Sequence, residues 1–423
     1  MRAVVVTHSS TYETRAEAAG DFFRNKGYEV TWIFSDFDHL RKKTLKREHP
    51  QHVYLHMNPY ASNLSVRRIL SIRDFSLAVE KYLEDLFTAG CGPDLLYILI
   101  PANSLAAAAG RLHAKYGVRI VFDLLDLWPE SLPLKKIEVF PPLAAWRNLR
   151  DRNLGAADMI FTECSLYRKE LSLDPEKSRT LYWFKREATD ATPDQPGTAA
   201  GGGSDERKKT SIVELSATET KGSPNEKADS GMAKETSRKR MQGTLHIVYM
   251  GAVNHIIDID GIVRILQAVM AQRPVYLHVI GEGDGKQDFL RALCQAGIPF
   301  TDYGAVYDEQ KKAAILSECR FGLNVMKKSV HVGLTMKSID YLSFGLPLIN
   351  TIGGDTWDII EKHGIGVNVD PEDIRAGAAA ICRLADQDRR ELAAAARSVF
   401  EENFTERAFM RTMEESLLFL HEL

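Results

Sequence analysis

The sequence predicts an α/β protein built from two doubly wound, parallel-sheet domains. Short apolar runs alternate with stretches of helical spacing, the pattern of βαβ units. That alternation stops in a polar segment at 185–243 and then begins again. The chain has 423 residues, too many for one ordinary hydrophobic core, so its length agrees with two domains.

The first domain spans residues 1–184. "RAVVVTHS" (2–9) reads as a strand, "TRAEAAGDFFRNKG" (14–27) as a helix with a glycine stop, and "YEVTWIFS" (28–35) as the next strand. "DLLYILI" (94–100), an Ala-rich helix after Pro101, "RIVFDLLD" (119–126) and "MIFTE" (159–163) continue the series. From Lys185 to Gly243 there is no Phe, Tyr or Trp, and "GTAAGGGSDERKKT" is typical of the texture. Such a segment buries too little apolar surface to offset the entropy of ordering, and a disordered insertion is expected at 185–243. The second domain, 244–400, opens with "TLHIVYMG" (244–251). It runs through a helix near 259–271, "VYLHVIGEGDG" (275–285), a helix near 286–296, "RFGLNVM" (320–326), "VGLTMKSIDYLSFGLPLINT" (332–351) and "IGVNV" (365–369). In the closing segment, 401–423, Phe409, Met413, Leu417 and Leu420 form one helical stripe. That stripe fits either a return to the first domain or a dimerisation surface. Both halves are Rossmann-like. Open α/β sheets bind ligands at the carboxyl ends of their strands, so two such domains are expected to face each other across a cleft.

Bulk properties narrow the function classes. A net charge of −3 gives no general attraction to nucleic acid. No apolar run reaches the roughly 18 residues of a membrane span. "MRAVVVTHSS" turns polar too soon for a signal peptide. The five cysteines are scattered without a CxxC pair, which fits a reducing, cytoplasmic setting.

The stretch 332–351 carries the clearest chemistry. Thr335 is placed to cap a short helix, and Lys337 and Asp340 lie three apart near its start. Unpaired N–H groups and the helix dipole favour an anion at such an end. Lys337 adds a full positive charge where a lysine is out of place without an anion nearby. Asp340, one turn deeper, suits a ribose diol beyond a phosphate. The alternative is an i,i+3 ion pair on a solvated helix.

"MKSIDYLSFGLPLI" resembles the nucleotide-binding segment of glycosyltransferase family 4, enzymes of the GT-B fold. That family places an acidic residue five before the glycine of a G-x-P step, as Asp340 stands to Gly345 and Pro347. "VIGEGDGKQDFLRAL" (279–293) is similar to its strand, Gly-rich loop and helix. "DLLDLWPESL" (123–132) resembles a D-x-W-P-E-S variant of bacterial surface-polysaccharide members, and "YASNLSVRRI" (60–69) resembles the same subgroup. The likeness covers both domains and skips only 185–243. It implies a nucleotide-diphosphate sugar as donor and retaining, metal-independent hexosyl or N-acetylhexosaminyl transfer without a cofactor. It further implies a lipid-linked saccharide acceptor in capsule, O-antigen or exopolysaccharide assembly. Donor-binding positions would be Gly251, Gly281, Gly283, Gly333, Leu334, Thr335, Lys337 and Asp340, with Lys337 also catalytic.

Two departures from that family stand out. Its first acidic residue, eight before Asp340, is replaced by Val332. Its Arg and Lys after the first strand of the second domain are absent from "GAVNHIIDID" (251–260). Those cations stabilise the leaving diphosphate, so Lys337, with Lys327 or Lys328, would have to supply the charge. "DID" (258–260) reads as a helix cap rather than a metal site.

In the first domain, Asp123 and Asp126 fall at the carboxyl end of a predicted strand. Either could orient an acceptor hydroxyl or act as base, or be a hydrogen-bonded loop aspartate. Trp128, Glu130, His8 and Ser9 are weaker acceptor-side candidates. "HLRKKTLKREH" (39–49) gathers five cations with one acid. "IEVFPPLAAWRNLRDRNL" (137–154) mixes Phe140, Leu143 and Trp146 with Arg147, Arg150 and Arg152. Both patterns fit contact with the inner face of a membrane, and both also fit a solvated or packed surface. A non-catalytic partner of another glycosyltransferase is the alternative function, raised by the missing Arg and Lys. An NAD-dependent epimerase is disfavoured because "VVVTHSSTYE" lacks a glycine loop.

Overall fold

Runs of β-branched, aromatic and leucine side chains make the strands, and the stretch after each carries the helix that covers it. The structure, a computed structural model, describes residues 1–62, 65–131, 141–186 and 243–418. The expected disordered insertion at 185–243 therefore lies almost wholly outside the described residues, as do Phe140 and Leu420. The chain divides into two compact units, Met1–Arg186 with Asn403–Leu423, and Glu187–Glu402.

The first unit contains β1 (Arg2–Thr7), α1 (Glu13–Asn25), β2 (Glu29–Ser35), a two-stranded antiparallel ribbon of β3 (Phe37–Asp38) and β4 (Lys43–Thr44), β5 (His52–Leu55) and α2 (Val66–Thr88). It continues with β6 (Leu95–Ile100), α3 (Asn103–Tyr116), β7 (Arg119–Leu124), α4 (Pro141–Asp151), β8 (Met159–Thr162), α5 (Ser165–Glu170) and β9 (Ser178–Thr180). Seven strands pair in the order β5-β2-β1-β6-β7-β8-β9, all parallel. β6 reads LLYILI and is buried at every position, as a parallel strand covered on both faces must be. Helix α2 is absent from the sequence reading. Ser65 caps it by accepting from the Arg68 N–H, and Ile72, Phe75, Val79 and Leu83 bury its inner face. Each such side chain contributes about 1.5–3 kcal/mol.

The second unit contains β10 (Leu245–Met250), α6 (Ile259–Met270), β11 (Val275–Ile280), α7 (Lys286–Gln295), β12 (Phe300–Asp302), α8 (Glu309–Glu318) and β13 (Phe321–Asn324). α9 (Met336–Ser343), β14 (Leu348–Asn350), α10 (Asp355–His363), β15 (Gly366–Asn368), α11 (Ile374–Ala385) and α12 (Arg389–Asn403) follow. The sheet order is β12-β11-β10-β13-β14-β15, again all parallel. The chain steps outward from β10 to β12 and then restarts on the other side of β10 at β13. Such a reversal opens a crevice at the carboxyl ends of the two central strands. The first sheet has the same reversal between β1 and β6.

The last helix, α13 (Glu406–Ser416), packs within the first unit. Phe409, Met413 and Leu417 join Ala16, Phe22 and Phe23 in one core, and Lys26 Nζ lies 2.5 Å from the Glu414 carboxylate. The described part of the stripe read from the sequence, Phe409, Met413 and Leu417, is thus buried against α1.

Candidate functional site

Helix α9 starts at the reversal of the second sheet, and its first turn is tied down by a polar ladder. Thr335 Oγ1 accepts from the Ser338 N–H at 3.1 Å and donates to Asn324 Oδ1 at 2.9 Å. Asn324 Nδ2 donates to Ser338 Oγ at 2.9 Å and to Asn350 Oδ1 at 3.0 Å. Asn350 Nδ2 donates in turn to Asn368 Oδ1 at 2.8 Å. These asparagines end β13, β14 and β15 and are register partners across the sheet. Asn324, Asn350 and Ser338 are fully buried, so each bond replaces a costly desolvation. The ladder fixes the amino end of α9. With the Ser338 N–H taken by Thr335, the Met336 and Lys337 amides of the first turn are the donors left to a ligand.

Lys337 then reaches back toward β10. Its Nζ donates to the Tyr249 hydroxyl at 2.9 Å and sits 4.5 Å from the centre of that ring. Tyr249 is fully buried and passes its own proton to the Ala252 carbonyl at 2.8 Å. The ammonium does not turn to Asp340, which disposes of the i,i+3 ion pair. Among the described residues no carboxylate compensates Lys337, and burial lowers its pKa to about 8. A desolvated cation beside a helix amino end is poised for an anion.

The glycines of this region have a structural cause. Gly251, with φ of 126°, lies directly under the lysine stem, and a Cβ there would stand 2.8 Å from Lys337 Cε. At Gly281 a Cβ would strike the Gly251 carbonyl at 2.0 Å, and at Gly283 the Val253 carbonyl at 2.3 Å. The loops after β10 and β11 are therefore laid backbone on backbone, and Gly281 and Gly283 serve that packing. The Gly333 carbonyl accepts from the Thr356 N–H and hydroxyl at 2.9 and 3.0 Å, and Leu334 is buried beside it. Asp340 is half-buried one turn into α9. Lys328 pairs with Glu372 at 3.0 Å, and Lys327 is exposed. Asp258 caps α6 by accepting from the Gly261 N–H at 2.9 Å, as the sequence reading expected of "DID".

The first unit's candidates fare differently. Asp123 is wholly buried and receives two bonds from Arg15, at 2.7 and 2.9 Å, and one from the Tyr97 hydroxyl at 2.7 Å. It is a core anchor, and its proposed role at an acceptor is corrected. Glu130 is likewise held by the buried Arg150, at 2.8 and 3.2 Å, which joins the Trp-Pro-Glu turn to α4. That bidentate pair gives Glu130 a structural role, although its side chain stays partly exposed. Trp128 is stacked under Arg68 at 4.0 Å and edge-on to Trp146 at 5.5 Å. His8 is buried, and burial reinforced by Arg68 and His39 drops its pKa to about 3, so the imidazole is neutral. Ser9 caps a short turn by accepting from the Thr11 N–H at 3.3 Å.

Asp126 remains a titratable group at this sheet end. It accepts from the Tyr12 hydroxyl at 2.8 Å, and burial raises its pKa. Glu163, just past β8, accepts from Trp183 Nε1 at 2.6 Å. Burial, reinforced by the Asp126 charge, pushes Glu163 up to about 8. In the segment at 137–154, Trp146 and Arg150 are buried, Leu143 and Arg147 are half-buried and Arg152 is exposed, while Phe140 lies outside the described residues. In 39–49, Arg47 is paired with Glu13 at 2.5 Å.

Sequence reasoning missed Tyr249, Glu163 and the asparagine ladder. The ladder had a signal, since "FGLN", "LIN" and "GVN" each end a strand on asparagine. Tyr249 and Glu163 had none. Among the described residues no group of three or more His, Cys, Asp or Glu is arranged to hold a metal ion.

Residues 244–387 match the family model described as glycosyl transferases group 1. Similar solved structures include the apo form of the lipopolysaccharide outer core galactosyltransferase WaaB, at 12% identity over 100% of both chains with a TM-score of 0.61. Anabaena HepE in complex with UDP is 13% identical over 99% of both chains, with a TM-score of 0.61. Sucrose-phosphate synthase from Thermosynechococcus elongatus is 13% identical over 100% of both chains, with a TM-score of 0.60. The chain is thus an α/β protein of two Rossmann-like, parallel-sheet domains with the fold of GT-B glycosyltransferases.

Proposed function

We propose that this protein is a glycosyltransferase that takes its sugar from a nucleotide-diphosphate donor bound by the second unit. The observation that carries the reading is Lys337, a half-buried cation without a carboxylate partner at the amino end of α9. Its setting, within residues that match the group 1 glycosyl transferases, supports it. HepE has been solved with UDP and with UDP-glucose, which makes a uridine nucleotide the first donor to try.

The chemistry follows from charge. Breaking the bond between the anomeric carbon and the diphosphate leaves negative charge on the departing β-phosphate. The Met336 and Lys337 amides and the Lys337 ammonium are fixed before reaction and meet that charge where it develops. Lys337 thereby replaces the Arg and Lys missing from the loop at 251–260. Asp340 receives the ribose hydroxyls. Asp126, protonated more readily than an ordinary carboxyl, is the first unit's candidate to take the acceptor's proton. From the resemblance of "DLWPES" and "MKSIDYLSFG" we further assign family 4 membership, a retaining, metal-independent course and a lipid-linked saccharide acceptor. Surface-polysaccharide assembly at the inner face of the membrane is the setting these imply.

A melting-temperature panel of nucleoside diphosphates and their sugars tests the donor site. One diphosphate should raise the melting temperature by several degrees, and Lys337→Ala and Asp340→Ala should each remove the shift. A panel without any shift rejects the reading. Binding without sugar transfer to a lipid extract, or hydrolysis of the donor, favours the non-catalytic partner. The cation-free loop at 251–260 is the observation behind that second reading.

A further inference from the structure

The second unit carries a small cavity at the strand ends opposite the proposed donor site. It lies at the amino ends of β13 and β14, between the end of α8, the turn at 344–347 and the start of α12. Its volume is about 70 Å³, several times the roughly 10–15 Å³ that one water needs. Leu316, Phe344 and Leu392 give it apolar walls, and its charged lining is Arg320 and Arg389, with no carboxylate. Each guanidinium spends one nitrogen on a helix end. Arg389 Nη2 donates to the Ser317 and Cys319 carbonyls, the second at 2.8 Å, where α8 stops. Arg320 Nη2 donates to the Leu384 and Gln387 carbonyls at 3.4 and 2.5 Å, where α11 stops. Arg320 Nε is buried without a hydrogen-bond partner. Among the described residues no carboxylate pairs with either arginine. Burial lowers the Arg320 pKa, and Arg389 beside it lowers it further. The acids nearby face other groups or water. Asp386 pairs with Arg273 at 2.9 Å, Asp388 caps α12 by accepting from the Arg390 N–H at 2.6 Å, and Glu318 is exposed at the end of α8.

We propose that this cavity binds a tetrahedral oxyanion, either free phosphate or the phosphate group of a monoester, through Arg320 and Arg389. Two like charges lining one small space repel each other, and an anion between them turns that repulsion into two attractions. Two cations with no acid on the wall match a divalent anion better than chloride or a single carboxylate. The planar guanidinium fork suits phosphate oxygens, and Nε and Nη1 of each arginine are the nitrogens that the helix-end carbonyls leave over. The buried Arg320 Nε gains there the acceptor it lacks. The space is far below the roughly 300–1,000 Å³ of a pocket for a whole cofactor, so it takes one small group and excludes a nucleotide. It lies within the second unit and at the far ends of the strands from Lys337, and it does not rest on the transferase reading.

Calorimetric titration of the full chain with sodium phosphate, against sodium chloride at matched ionic strength, tests it. Phosphate should bind to wild type and equally to Lys337→Ala, which separates this cavity from the donor site. Arg389→Gln should weaken binding at least about tenfold. Arg320→Lys, which keeps the charge and loses the fork, should weaken it by a smaller factor. Melting of each variant without phosphate reads any folding defect apart from the loss of binding, and the two variants alter different helix ends. Heat no larger than that of chloride would overturn the proposal, as would binding that Lys337→Ala removes and both arginine variants leave unchanged. Glycerol phosphate in place of the free ion decides the source. Tighter binding of the ester assigns the cavity to a phosphate monoester, and tighter binding of the ion assigns it to free phosphate.

Discussion

The carboxyl ends of the two sheets use charge in opposite ways. In the first unit the strongest charges are closed on themselves. Arg15 and Asp123 are both fully buried and hold each other through two bonds, and Arg150 clamps Glu130. In the second unit neutral asparagines and hydroxyls do the structural work, and Lys337 is left with a phenol as its partner. A charge that has a partner holds the fold together. A desolvated charge with no counter-ion costs stability, and a bound anion recovers that cost. Motif matching treats Asp123 and Lys337 alike, whereas their surroundings separate them.

The sharpest way to break this comparison is to remove a partner from the closed pair. Asp123→Ala leaves the Arg15 guanidinium buried with only the Leu181 and Tyr182 carbonyls as acceptors. Stranding a buried charge costs about 3–5 kcal/mol. Urea unfolding of the first unit should show that loss, while nucleotide binding by the second unit should be unchanged wherever the protein remains folded. A loss below about 1 kcal/mol would mean that Asp123 is not the anchor described here.

Lys337 should behave in the opposite sense. Its folded pKa of about 8 lies below the ordinary lysine value of 10.5, so the folded chain gives up this proton first. At neutral pH the partly desolvated ammonium weakens the second unit, and that penalty fades as the pH climbs from about 8 to 10.5. Lys337→Met keeps the apolar stem and drops the charge. The ligand-free variant should be more stable than wild type by about 1–3 kcal/mol at pH 7, with a flatter profile above pH 8. The same change should weaken nucleoside-diphosphate binding at least about tenfold. Wild-type binding should also fall as the pH passes about 8 and the ammonium is lost. Calorimetry across that range reads both effects, and a variant no more stable than wild type would show that Lys337 is already compensated.

These contrasts also show what sequence can carry. Both sheets were legible because parallel strands covered on both faces become short, near-continuous apolar runs, as in LLYILI and LHIVYM. Thr335 was legible because an N-cap is a local pattern, and the Asp258 cap for the same reason. Helix α2 was not read, because a second apolar stripe at Val66, Leu70 and Leu77 blurs the 3.6-residue period of its inner face. The ion-pair partners of Asp123 and Glu130 were not read, because they lie apart from them along the chain. Arg15 is 108 residues from Asp123, and Arg150 is 20 from Glu130. The missing cations of the loop at 251–260 were visible, but the route by which Lys337 reaches Tyr249, 88 residues away, was not.

The smallest effect tests the part of the first unit's sheet end where Asp126 and Glu163 are held by neutral partners. Glu163 is held by Trp183 and is pushed up to about 8 by burial and then by Asp126. A carboxyl whose folded pKa exceeds its unfolded value keeps its proton longer in the folded chain. The folded state therefore binds more protons between about pH 4.5 and 8, and stability falls as the pH rises through that window. Partial exposure and the shared charge with Asp126 reduce the effect to about 1 kcal/mol. Glu163→Gln keeps the acceptor oxygen for Trp183 and removes the titration. It should match wild type near pH 5 and surpass it near pH 8, read as melting temperature against pH. If the variant loses stability between those values as wild type does, the proton belongs to Asp126. The Tyr12–Asp126 contact would then be the titrating element of this sheet end.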